Sequence, residues 1–159
     1  MCPGSGHKAL RALPELHGAK EGSVRVFFDH CTSPVFASTL DGYLRNTEHS
    51  AQHIKDLPCG PAAADDVWMN MLSTSGDVWV VMTGDGRIQR SKVLREAYRR
   101  AGLRGFVLAP AYQKTPVHQT AANLVWRWPE IEVFIGSLRG AALFELPAGR
   151  STKFSALQL

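Results

Sequence analysis

Cysteine is scarce in this chain: Cys2, Cys31 and Cys59 are odd in number, far apart and without a CxxC pair. That pattern speaks against a disulfide framework and against a thiolate zinc site. Long hydrophobic runs are also missing, since every apolar stretch is broken by charge well short of the ~20 residues a membrane-spanning helix needs. The first 24 residues lack the continuous apolar segment and small-residue cleavage site of a secretory signal, and their Gly and Pro predict a loose leader over residues 1–23. Internal repeats and low-complexity tracts are absent too. These absences together predict a cytoplasmic protein with no membrane association.

What is present suits one ordinary globular core. The 159 residues are 45% hydrophobic, enough for a single core and too few for two, so residues 24–159 are expected to form one domain. A net charge of +4 favours polyanionic partners without deciding among them.

Strand and helix signals alternate along that domain. "SVRVFFDH" is rich in β-branched and aromatic residues and ends at Asp29, as a first strand would. "SPVFASTLDGYLR" follows, with Ser33 as N-cap and Pro34 at the first helical position. A short strand is expected around residues 50–54. "DDVWMNMLSTSG" predicts a helix with Asp at its N-cap, Val67, Trp68, Met71 and Leu72 on one face, and Gly76 just past its end. "DVWVVMTGD" is continuously apolar, the pattern of a parallel strand covered on both faces. "RSKVLREAYRRAG" then places Val93, Leu94, Ala97, Tyr98 and Ala101 on one stripe, and "RGFVLAP" is a strand stopped at Pro110. The remainder predicts a helix broken at Pro129 and resumed as a second, with "AALFELPAG" as a last edge strand. The expected architecture is α/β, a three-layer α/β/α sandwich around a mostly parallel sheet.

In such a sheet, chemistry collects at the carboxyl edge of the strands. Asp29 and Asp85 both sit at strand exits, and Asp65 and Asp66 open the intervening helix. Taken singly, each is an ordinary cap or turn residue. Taken together they predict an anionic pocket, which stays ionised only if cations compensate it. An all-oxygen donor set favours Mg2+ or Mn2+, and with it metal-assisted phosphodiester hydrolysis.

Three segments in this order resemble the PIN-like ribonucleases, including the toxins of bacterial toxin–antitoxin pairs: "VFFDHCTSPVFASTL", "DDVWMNML" and "VWVVMTGDGRI". The resemblance implies a metal-dependent endoribonuclease with Asp29, Asp65 or Asp66, and Asp85 as metal ligands and Thr83 lining the same rim. It further implies RNA as substrate, a small antitoxin partner and, as a common arrangement in the family, a homodimer. The family often carries a further acid late in the domain. Glu130 and Glu132 lie past the Pro129 break, so that place stays unassigned and the site is expected to be reduced.

Other features bear on the choice. From Arg87 to Arg104 the chain is strongly basic, with Glu96 alone opposing, and Arg87, Arg90, Arg95 and Arg99 are the candidates to hold an RNA backbone. Trp126 and Trp128 are read first as core and second as stacking platforms for bases. His49 and His53 have zinc-like spacing but no third ligand. Cys31 is read as a small buried residue, since no thiol-activating signature accompanies it. Two other functions stay open. One is a non-catalytic RNA-binding or interaction module on the same scaffold. The other is a haloacid-dehalogenase-like phosphatase, in which Cys31 stands where a second Asp belongs.

Overall fold

A computed structural model describes residues 22–150 and 153–159, so the predicted leader lies outside the described residues apart from its last two positions. A six-stranded sheet forms the middle layer, in the order β2-β1-β3-β4-β5-β6. Its strands are β1 (Arg25–Phe28), β2 (Ser50–His53), β3 (Trp79–Thr83), β4 (Arg104–Leu108), β5 (Ala142–Leu146) and β6 (Ser155–Leu157). The first five pair in parallel and β6 returns antiparallel against β5.

Alternation along the strands sends successive side chains to opposite faces. Val26, Phe28, Val80, Met82 and Phe106 belong to one core, which α1 (Pro34–Leu44) and α5 (Val117–Ser137) cover with Phe36, Leu40, Leu124, Trp128, Ile131 and Ile135. Phe27, Trp79, Val81 and Val107 belong to the other, under α2 (Asp65–Thr74) and α4 (Lys92–Arg100). Phe27 stacks on Trp68 there with ring centroids 4.7 Å apart, a pair worth about 0.5–1.5 kcal/mol beyond its buried area. All five residues of β3 are buried, as its unbroken apolar run predicts. The three-layer α/β/α architecture is the expected one.

Local signals explain most boundaries. Ser33 caps α1 by accepting from the Val35 N–H, with Pro34 at the first position. Gly76 ends the α2 segment at φ +81°, a conformation costly for residues with a Cβ. A short helix, α3 (Arg87–Arg90), precedes α4, whose own N-cap is Ser91.

Several expectations are corrected. Ala64, not an Asp, is the N-cap of α2, so Asp65 and Asp66 stand inside the first turn with their carboxylates free for other partners. Val67 and Val93 are exposed rather than core-facing, and Met69 takes the buried place on α2. Pro129 does not break the helix: α5 runs through it for 21 residues. The lost hydrogen bond is offset because Leu124 and Trp128 before the proline, and Ile131 and Ile135 after it, bury against one continuous core. "AALFELPAG" forms β5 inside the sheet, and the edge strand is the three-residue β6 beyond it. Among the described residues no helix is long and apolar enough to cross a membrane.

Candidate functional site

Strand order 2-1-3-4-5 places a topological switch between β1 and β3, where connections leave in opposite directions and open a crevice at the carboxyl edge. Asp29 follows β1 and Asp85 follows β3, on either side of that crevice. Thr83, the last residue of β3, joins them. Its hydroxyl donates to Asp29 Oδ2 at 2.5 Å, while its Oγ1 lies 3.4 Å from the Asp85 backbone nitrogen. Gly84 makes this approach possible: a Cβ there would stand 2.4 Å from the Cys31 carbonyl oxygen.

The two carboxylates live in different surroundings. Asp29 is 2% exposed, and burial pushes its carboxyl above the usual range, opposed in part by the Thr83 hydrogen bond. Burial acts on Asp85 in the same sense, but the Cys31 thiol, the Arg87 backbone N–H and the charges of Arg87 and Arg90 outweigh it and hold its carboxyl below that range. Cys31, read from the sequence as buried, is exposed. Its Sγ lies 3.0 Å from Asp85 Oδ2, and partial desolvation at the rim, the hydrogen bond to Asp85 and the charges of Asp29 and Asp85 push the thiol up to about 12. It is no nucleophile at neutral pH.

Arg87 organises the rest. Its Nε is 3.0 Å from Asp85 Oδ2, a close ion pair without hydrogen-bond alignment. Its Nη2 is 3.7 Å from Asp65 Oδ1 and donates to His30 Nε2 at 2.8 Å. Asp65 also accepts from the Trp68 indole N–H at 3.0 Å, so the acid ahead of the Trp-containing helix is anchored by that Trp. Asp66 is turned elsewhere, lining a hollow between α2 and α4 with Asn70 and Arg100. The later acids are engaged away from the rim: Glu130 pairs with Arg127 at 3.0 Å and Glu132 with His49 at 2.7 Å. His49 and His53 are not paired ligands. His49 Nδ1 accepts from the Val24 N–H, and the His53 ring bonds the Thr32 carbonyl and the Lys55 N–H.

The oxygen donors have the chemistry a hard divalent ion prefers. Among the described residues no three His, Cys, Asp or Glu side chains form a group able to hold a metal. The Arg87 guanidinium stands against both Asp65 and Asp85 and supplies the compensating charge itself.

The basic residues divide into two sets. Arg90 is exposed at the rim, where its charge acts on Asp85. Arg95 is tied to the Gln89 carbonyl, and together with Lys92, Glu96 and Arg99 it borders a separate hollow of about 280 Å³ reaching Gln158. Nothing in the sequence distinguished Arg87 as the residue that holds the acids together. The one available signal was its place two residues after Asp85.

A family model described as a PIN like domain matches residues 24–110, more than half of the chain. The chain belongs to the PIN-like domain family. The matched span of this PIN-like protein runs from just before β1 to just after β4 and so contains Asp29, Asp65, Thr83, Asp85 and Arg87. Comparison with curated proteins and with solved structures gave no match.

Proposed function

We propose that the protein binds single-stranded RNA along the carboxyl edge of its sheet, across the Asp29–Asp85 rim and the basic helices beside it. A cluster of bare carboxylates repels a phosphate backbone unless cations stand between them. Here the protein provides them, and the carrying observation is Arg87 set against both Asp65 and Asp85, with Arg90 adding charge at the same rim. Arg87 spends its charge within the site, which leaves Arg90 as the nearest free guanidinium for a phosphate. Arg95 and Arg99 extend the positive surface along α4.

Titration of a labelled single-stranded RNA in excess EDTA, then with added Mg2+ or Mn2+, tests this reading. Equal affinity in both, falling steeply with salt and weakened by Arg90→Glu, is the expected result. No binding at low salt overturns it.

Metal-dependent endoribonuclease activity is the second reading, favoured by the Asp29–Thr83–Asp85 arrangement at the switch point. It requires Arg87 to leave its place between the acids. The toxin role and its antitoxin partner belong to this reading. Cleavage of RNA by the wild type with Mg2+ or Mn2+, lost in Asp85→Asn while the fold is intact, supports it. A wild type inert with metal present favours binding alone.

A further inference from the structure

Trp126 is unlike the other tryptophans of the described chain. Trp68, Trp79 and Trp128 are buried in the two cores, whereas Trp126 is 62% exposed. It continues the face of α5 that carries Gln119, Ala122 and Asn123, since these positions repeat at helical spacing. That face borders a hollow of about 360 Å³, closed by Tyr112 after β4 and by Ala148 and Arg150 after β5. Arg150 links hollow and indole directly, its guanidinium lying 4.5 Å from the Trp126 ring centre.

The lining is built rather than incidental. Tyr112 is 7% exposed; its hydroxyl donates to the Pro147 carbonyl at 2.8 Å and accepts from the Asn123 amide nitrogen. Asn123 lines the hollow with its amide nitrogen held by the Tyr112 hydroxyl. An exposed indole, a fixed amide acceptor and a mobile-length guanidinium are the elements with which proteins hold a splayed-out base: stacking, edge recognition and phosphate contact. The volume lies within the ~300–1,000 Å³ common for small-ligand sites.

We propose that this hollow takes one unstacked base of the bound RNA. Trp126 is the stacking face, the Asn123 carbonyl accepts from an exocyclic amine, as adenine and cytosine carry, and Arg150 turns from the indole to the adjoining phosphate. The inference rests on the RNA reading above. It gains from position, because the ends of β4 and β5 share the carboxyl edge with Asp29 after β1 and Asp85 after β3, β4 lying next to β3 in the sheet.

Intrinsic tryptophan emission supplies the test, since Trp126 is the exposed indole. A short adenine- and cytosine-containing RNA, the same backbone made abasic, and free adenosine are titrated into the wild type, Trp126→Ala and Trp126→Phe. Intact RNA is expected to quench the wild type and the abasic strand is not. Trp126→Ala should bind intact RNA about tenfold more weakly, with Trp126→Phe recovering most of the loss. Unchanged affinity in Trp126→Ala together with unmoved wild-type emission overturns the base site and leaves RNA binding standing. If the wild type binds no RNA yet adenosine quenches it, the base site stands and the RNA reading falls. If neither RNA nor adenosine has any effect, both fall.

Discussion

The carboxyl edge of this sheet carries two unlike surfaces. Over β1 and β3 it is charged: Arg87 stands against Asp65 and Asp85, and the Thr83 hydroxyl holds Asp29 at the same rim. Over β4 and β5 it is aromatic and free of carboxylates, with Tyr112, Asn123 and Arg150 around a hollow and Trp126 beside it under the Arg150 guanidinium. An arginine is central to each, in opposite ways. Arg87 is 42% exposed at its side chain and answers to acids at the surface. Arg127 is 1% exposed, donates to the Pro147 and Gly149 carbonyls and stacks over Phe154 at 4.6 Å. The family match covers the charged half and stops at residue 110, short of Tyr112 and the rest of the hollow. The charged rim therefore lies within the matched span, and the packing around the hollow is built from residues after it.

If that contrast is right, the largest effect comes from the packed half. Arg127→Ala removes the donors of two backbone carbonyls and opens space beside Phe154, so it should cost about 3 kcal/mol, read from the urea midpoint. A loss below about 1 kcal/mol would show that the arginine is not structural. Gly84→Ala strikes the charged half by driving a Cβ against the Cys31 carbonyl; it should cost about 1–3 kcal/mol and weaken RNA binding in proportion as Asp29 and Asp85 separate.

Smaller effects separate the two carboxylates. The Asp29 carboxyl is raised in the fold, so its contribution to stability is complete below the ordinary unfolded value near ~4 and is lost as pH rises through the folded value. Asp29→Asn should therefore leave the melting temperature at pH 7 unchanged or slightly higher. The Asp85 carboxyl is lowered, so its contribution is present above the unfolded value and is lost as pH falls through the folded one. Asp85→Asn should cost about 0.5–1 kcal/mol at pH 7, the ion pair being partly screened, and progressively less as the pH falls through the lowered folded value of Asp85. Equal pH profiles for the two variants would erase the distinction. The smallest change is expected from Arg95→Glu combined with Arg99→Glu, a loss of RNA affinity of a few-fold with a flatter salt dependence. Unchanged binding at low salt removes α4 from the interface.

Sequence patterning carried the layers of the fold because buried strands and capped helices write their periods locally. Ser33, Gly76 and the apolar run of β3 each act where they stand. The strand-end acids were legible for the same reason, Asp29 and Asp85 being fixed by the strands before them. What escaped depends on residues distant in the chain. Cys31 is exposed because Asp85, 54 positions later, holds its thiol at the rim. Pro129 stays helical because two stretches of α5 share one core. Asp66 leaves the site through the helix's rotation, a matter of where Trp68 packs.

That proline has one more effect. A residue without an amide hydrogen cannot reach back four positions, so the Val125 carbonyl lacks its rung of the helical ladder. The long helix is thus two rods joined at a missing rung, one bearing Gln119, Asn123 and Trp126, the other bearing Ile131 and Ile135 against the sheet. Both rods are pinned to the same core, the first through Ala121, Leu124 and Trp128, so the indole is presented from a helix whose direction the sheet fixes despite the missing rung.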